Sequence, residues 1–206
     1  MKYRLVILEQ LKTQPYFEKR AIQQLSEQYG LKRTTVDSYI SVSLRRREII
    51  ALRRGLYVSS VFYDQNKSDI SYRYYLANVI RRPSYVSSWT ALQYYNLTTE
   101  VIHPTTSVTA KTTRDYRTRI GDFSYQSLQK KLFACFSSEK RAFEFFIASP
   151  AKALFDLLYL RTRHFRATGS KDLDALLSSL RIDMDELSEQ ERTTFYSLVE
   201  DYIHNE

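Results

Sequence analysis

The sequence is poor in the residues that staple, kink or cradle. A single cysteine, Cys135, has no partner for an internal disulfide. That fits a reducing interior, so a cytoplasmic location is expected. The four glycines stand far apart, at Gly30, Gly55, Gly121 and Gly169, so the usual Gly-rich phosphate-cradling loops are excluded. His103, His164 and His204 are scattered, and CxxC, HExxH and GxSxG are all missing. The expectation is therefore no metal, no cofactor and no catalysis. No apolar run approaches the roughly 20 residues that a membrane helix needs. The opening MKYRLVILEQ is basic and then apolar, but Glu9 ends its apolar run too early for a secretory signal. There is no internal repeat and no low-complexity segment.

What is present is an ordinary globular composition, 43% hydrophobic and 26% charged over 206 residues. That length suits one or two domains. Charge is unevenly spread. Residues 1–60 hold 12 Lys/Arg against 5 Asp/Glu, 61–169 hold 16 against 8, and 170–206 hold 3 against 10. The densest positive charge lies in the first sixty residues, the footprint expected of a nucleic-acid binder.

Those sixty residues carry a legible order. KYRLVILEQLKT places Leu5, Leu8 and Leu11, with Ile7 beside them, at helical spacing until Pro15. PYFEKRAIQQLSEQYGL repeats the pattern with Phe17, Ala21, Ile22 and Leu25, and Gly30 is its stop. LKRTTVDSYISVSLRRREI restarts at once, with Thr34 or Thr35 as cap and Val36, Ile40 and Leu44 facing inward. Two strand-like runs, EIIAL and GLYVSS, follow around Arg53-Arg54-Gly55, where glycine supplies the backbone freedom a tight hairpin requires. Three helices and a basic-tipped hairpin read as a winged helix-turn-helix over residues 1–60. In that plan the third helix enters the DNA major groove. The expected DNA contacts are Lys32, Arg33, Thr34, Thr35, Ser38, Ser41 and Arg45 on this helix, with Arg53 and Arg54 at the wing tip on phosphates. The bland counterparts are a protein-binding module of the same shape, and an Arg45-Arg46-Arg47 run serving only the helix dipole.

The polar stretch 59–69 reads as a linker, and 61–206 as a second domain. DISYRYYLANVIRRP has a helical stripe of Tyr72, Tyr75, Leu76, Val79 and Ile80, and SSWTALQYYNL follows as a helix. TTSVTAKTT, RDYRTRI, DFSYQSL, KLFACFS and RAFEFFIAS read as strands. Cys135, inside the fourth, is expected to be a buried small hydrophobe. SPAKALFDLLYLR returns to helix, with Ser149 as cap and Pro150 first, and its apolar residues go nearly all round. SKDLDALLSSL and a last helix bearing Phe195, Leu198, Val199 and Tyr202 close the chain, the latter opened by a Ser188–Glu191 capping box. The expected fold class is α+β: an N-terminal winged helix-turn-helix, then helices around a mainly antiparallel sheet, ending in acidic helices.

Two S-x-x-K matches, Ser149–Lys152 and Ser137–Lys140, have the spacing of a serine–lysine nucleophile. Capping explains the first better and chance the second. Lys152 and Asp156 have i,i+4 spacing for an ion pair. Lys111, Arg114, Arg117 and Arg119 either extend a nucleic-acid footprint or protect a hairpin edge.

RRGLYV, SYVSSWTALQYYNL, SVTAKTT and IASPAKALFDLLYL together resemble the AbiEi antitoxins of bacterial AbiE-type (type IV) toxin–antitoxin systems. The resemblance spans roughly residues 15–162. The family's Ser-x-x-Ala-Leu helix matches Ser88 or Ser87 onward to Ala91 and Leu92, with Tyr95-Asn96-Leu97 in place of the frequent His-Gly-Leu. Its Pro-Glu-Lys-Ala-Leu-x-Asp helix matches Pro150, Lys152, Ala153, Leu154 and Asp156, but Ala151 replaces the Glu, so no acid role carries over there. The resemblance implies a phage-defence antitoxin. Its first domain would bind double-stranded DNA of its own promoter as a repressor. Its second would counteract a cognate nucleotidyltransferase-like toxin, for which type IV requires no stable complex. The rival expectations are a stand-alone winged-helix transcription factor whose second domain senses a ligand or dimerises, and, from another class, a nuclease or nucleotidyltransferase.

Overall fold

The computed structural model describes residues 2–100, 103–162, 165, 170–180, 182 and 184–204. Among the sequence-stretch residues named above, His164 and Gly169 lie outside the described residues. The fold is mixed α+β. Helices α1 (Lys2–Leu11), α2 (Lys19–Glu27) and α3 (Arg33–Arg45) pack with a small antiparallel sheet ordered β1-β3-β2, made of β1 (Phe17–Glu18), β2 (Ile49–Arg53) and β3 (Leu56–Ser59). Their shared core holds Ile7, Leu11, Phe17, Ile22, Val36, Ile40, Ile49 and Tyr57.

The periodicity located these helices but not all their faces. Leu5 points to solvent, and Arg4 turns inward instead, 2% exposed. Its guanidinium donates to Glu48 and, at 3.0 Å, to Ser43. Phe17 belongs to a strand and not to a helix, because Phe17–Glu18 pairs with Tyr57 and Leu56 across the chain. Lys32, not Thr34 or Thr35, occupies the cap position of α3, with no side-chain hydrogen bond. Gly55 at φ +78° makes the β2–β3 turn, a left-handed conformation that glycine adopts without Cβ strain.

Residues expected as a polar linker form helix α4 (Ser60–Asn66). Phe62 and Tyr63 hold it down, packing on Tyr72 at ring separations of 5.5 and 6.5 Å. Asp69 then caps α5 (Ile70–Ile80), accepting from the Ser71 amide at 2.8 Å. Next come β4 (Ser84–Val86), α6 (Ser88–Tyr94), β5 (Thr105–Thr109), β6 (Arg114–Thr118), β7 (Gly121–Ser127), β8 (Phe136–Glu139), β9 (Phe145–Ala148), α7 (Pro150–Arg161), α8 (Ser170–Ser179) and α9 (Glu189–His204).

The second sheet is ordered β6-β7-β5-β4-β9-β8. β5–β7 and β4–β9 are parallel and the other neighbours antiparallel, so the sheet is mixed. KLFACFS is a strand only from Phe136. A 3-10 turn covers Lys130–Leu132, and Cys135 is exposed at φ +57°, not buried as expected. α7 is buried nearly all round, as its apolar composition suits; α5, expected to bury one stripe, also buries Ser71, Tyr74 and Asn78. Among the described residues no helix is long and apolar enough to cross a membrane.

The hairpin belongs to both cores. Ile49 and Tyr57 face the first, while Leu52, Leu56 and Val58 face the second, with Tyr72, Leu76, Ile80 and Tyr125. Alternation along the strands makes this possible, since successive side chains leave opposite faces.

Candidate nucleic-acid interface

α3 is built as a two-faced element. Val36, Ile40 and Ser43 are buried and Leu44 half-buried, which turns Lys32, Arg33, Thr34, Ser38, Ser41 and Arg45 to solvent; Thr35 is half-buried. On the exposed side Ser38 donates back to the Thr34 carbonyl at 3.2 Å, and Arg45 donates to Ser41 at 3.3 Å. Arg33 and Arg45 have no ion pair among the described residues. Asp37, the one acid in this helix, pairs with Lys19 of α2 at 2.5 Å. The face is therefore a strip of hydroxyls bounded by guanidinium groups, with its acid in an exposed ion pair to Lys19.

The hairpin tip sits elsewhere. Arg53 is half-buried, and its Nε donates to the Ile80 carbonyl at the end of α5 at 2.9 Å. The tip thus leans on the second sheet's side of the molecule and does not project freely. Arg54 stays exposed. The two arginines are brought together with Arg81, Arg82, Lys111 and Arg114 around a cleft of about 550 Å³, whose other walls include Tyr16, Glu18 and Tyr116. No residue of α3 lines it. Arg81 donates to the Tyr116 hydroxyl at 3.4 Å and to Thr112, while its Nε is buried without a partner. Arg82 lies over the Tyr16 ring at 5.8 Å and Arg114 over the Tyr116 ring at 5.3 Å.

Arg81 and Arg82 were not among the expected site residues. Their only signal in the sequence was adjacency: two cations between a buried helix and Pro83. Lys111 and Arg114 share the cleft, whereas Arg117 and Arg119 line a neighbouring recess against Leu44, Ile49, Ile50 and Ala51 of α3 and β2.

A second polar cluster is sealed inside. Lys152 Nζ donates to Asp156 Oδ1 at 2.7 Å, and Asp156 Oδ2 accepts from Ser87 at 2.7 Å and Tyr85 at 2.9 Å. Lys152 also lies over the Phe155 ring at 4.7 Å. Burial pushes the Asp156 carboxyl above its ordinary value, against the pull of the Lys152 ammonium and the hydrogen bonds from Ser87 and Tyr85. Burial and the adjoining Asp156 together push the Tyr85 phenol upward. Ser149 caps α7, accepting from the Lys152 amide at 3.3 Å, so its hydroxyl meets the backbone of Lys152 while the ammonium is taken by Asp156. That is not the geometry of a serine–lysine nucleophile, in which the amine must reach the hydroxyl. Ser137 and Lys140 are exposed. Compared with known proteins, the chain matches no family model, and no curated protein is a match.

Proposed function

We propose that this protein binds DNA through α3, represses its own operon, and acts as an antitoxin against a nucleotidyltransferase-like toxin. The observation that carries the DNA half is the exposed strip of α3, where Arg33, Thr34, Ser38, Ser41 and Arg45 face solvent and Asp37 is paired away. Three helices followed by an antiparallel hairpin fit the winged helix-turn-helix plan, with α3 as the recognition helix. Arginine at the start of such a helix suits a guanine edge, and small hydroxyls allow close approach. In this reading Arg54 meets phosphate, and Arg53 sets the angle of the tip through the Ile80 carbonyl. The antitoxin half rests on the AbiEi resemblance over residues 15–162.

The test is a titration of labelled duplex from upstream of the gene, beside a scrambled duplex, at two salt concentrations. The native duplex should bind tighter by about 10³-fold or more. Arg33→Ala should cost about 1–3 kcal/mol on the native duplex and little on the scrambled one. Arg54→Ala should weaken both and flatten the salt slope by about 0.9. Equal binding of both duplexes, at low salt only, would remove repression. Failure to rescue cells expressing a neighbouring nucleotidyltransferase-like gene would remove the antitoxin role.

A further inference from the structure

We propose that the cleft between the hairpin tip and the second sheet is a binding site for a small molecule carrying adjacent phosphate groups, a di- or triphosphate. Six cations from three separate segments converge there: Arg53 and Arg54 from the tip, Arg81 and Arg82 after α5, Lys111 after β5 and Arg114 at the start of β6. Glu18 is the one acid in the lining. None of the six makes an ion pair among the described residues, so the cleft carries an excess of positive charge that Glu18 alone offsets. Such a concentration of one sign, partly walled by protein, raises the local concentration of anions.

The cations are also held in place, which a merely solvated patch does not require. Arg53 is fixed by the Ile80 carbonyl, Arg81 by Tyr116 and Thr112, and Arg82 and Arg114 by the rings beneath them. Guanidinium forks fixed in this way present paired N–H groups to phosphate oxygens, and little side-chain freedom remains to be lost on binding. The buried N–H of Arg81 is a donor without an acceptor.

Size selects the source of the phosphates. A cleft of about 550 Å³ falls within the range of small-ligand sites. Buried Val79 and Ile80 line it beside the cations. Nucleic-acid backbone offers the same chemistry, but its phosphates are spread along a strand and the expected reading helix takes no part in the cleft. Arg53 and Arg54 belong to both readings, but Arg33 and Arg45 of α3 belong only to the DNA reading and Arg82, Lys111 and Arg114 only to the cleft, so variants of each set separate the two.

Calorimetric titration of the full chain at fixed ionic strength, with inorganic triphosphate and with orthophosphate, tests the assignment. The expected result is one saturable site per chain, with triphosphate at least about tenfold tighter. Lys111→Gln, an exposed change, should weaken it several-fold, and Arg82→Gln/Lys111→Gln/Arg114→Gln at least about tenfold. Arg33→Ala/Arg45→Ala on α3 should bind triphosphate as the parent does, whatever happens to its duplex binding. Two results would overturn the proposal: no saturable binding in the millimolar range, or equal loss in the α3 and cleft variants.

Discussion

Lys152 and Asp156 place opposite charges where water does not reach, with side chains 2% and 0% exposed. A buried pair of this kind is tolerated when every lone pair and proton finds a partner, since desolvation otherwise exceeds the attraction. Here the carboxylate accepts three hydrogen bonds, from Lys152, Ser87 and Tyr85, and so ties α7 to β4 and to the start of α6. Lys152→Met keeps the volume but strands the carboxylate. Urea unfolding should show a loss of about 3–5 kcal/mol. Lys152→Met/Asp156→Leu, which removes both charges, should recover part of it. A single-variant loss under about 1 kcal/mol would mean that the pair does not hold the helix to the sheet. The i,i+4 spacing and the all-round apolar pattern of this helix made the pair legible in the sequence. Tyr85 and Ser87 were not legible as its partners, because they arrive from more than sixty residues away.

The N-terminus of α7 shows the same limit at the scale of an element. Ser188 and Glu191 have capping-box spacing, and the Glu191 amide does donate to the Ser188 hydroxyl at 3.2 Å. The Glu191 carboxylate does not turn back to its own helix. It accepts from the Ala151 amide at 2.7 Å, in the first turn of α7. A carboxylate there satisfies a free N–H and complements the helix dipole. Thermal melts of Glu191→Ala should therefore show a cost of about 1–2 kcal/mol, with Glu191→Gln losing less because an amide oxygen still accepts. If both variants melt like the parent, α9 is held to α7 by Phe195, Val199 and Tyr202 alone. Elements with long repeats were legible: α3 and α5 from period alone, α7 and α9 from period and the caps Ser149 and Ser188. The two-residue β1 was not, since its strand character comes only from pairing with β3, and α4 was hidden because its polar sequence has no stripe of its own. The direction of the hairpin tip was equally hidden: its charge is local information, but its docking on Ile80 is not.

For the whole molecule, the small sheet decides whether the first sixty residues behave as a separate body. Strand alternation sends Ile49 and Tyr57 into one core and Leu52, Leu56 and Val58 into the other. The expected boundary at 60/61 falls inside α4, which begins at Ser60 directly after β3, leaving no free linker between the helices of the first core and the second sheet. β2 also runs beside β6, and Tyr72 donates to the Pro15 carbonyl at 2.7 Å. Two bodies sharing a sheet cannot lose one core without uncovering the other, so scanning calorimetry should show a single transition. Leu56→Ala, at a fully buried position facing the second core, should lower that transition without splitting it. The cost should be about 2–5 kcal/mol, with each kcal/mol lowering Tm by roughly 2–4 °C in a chain of this size. Two resolved transitions in the parent, or a variant that shifts only one of them, would mean that the halves unfold independently. The tip cations would then face the cleft only while the two cores stay docked, and triphosphate should raise the Tm of the docking transition alone.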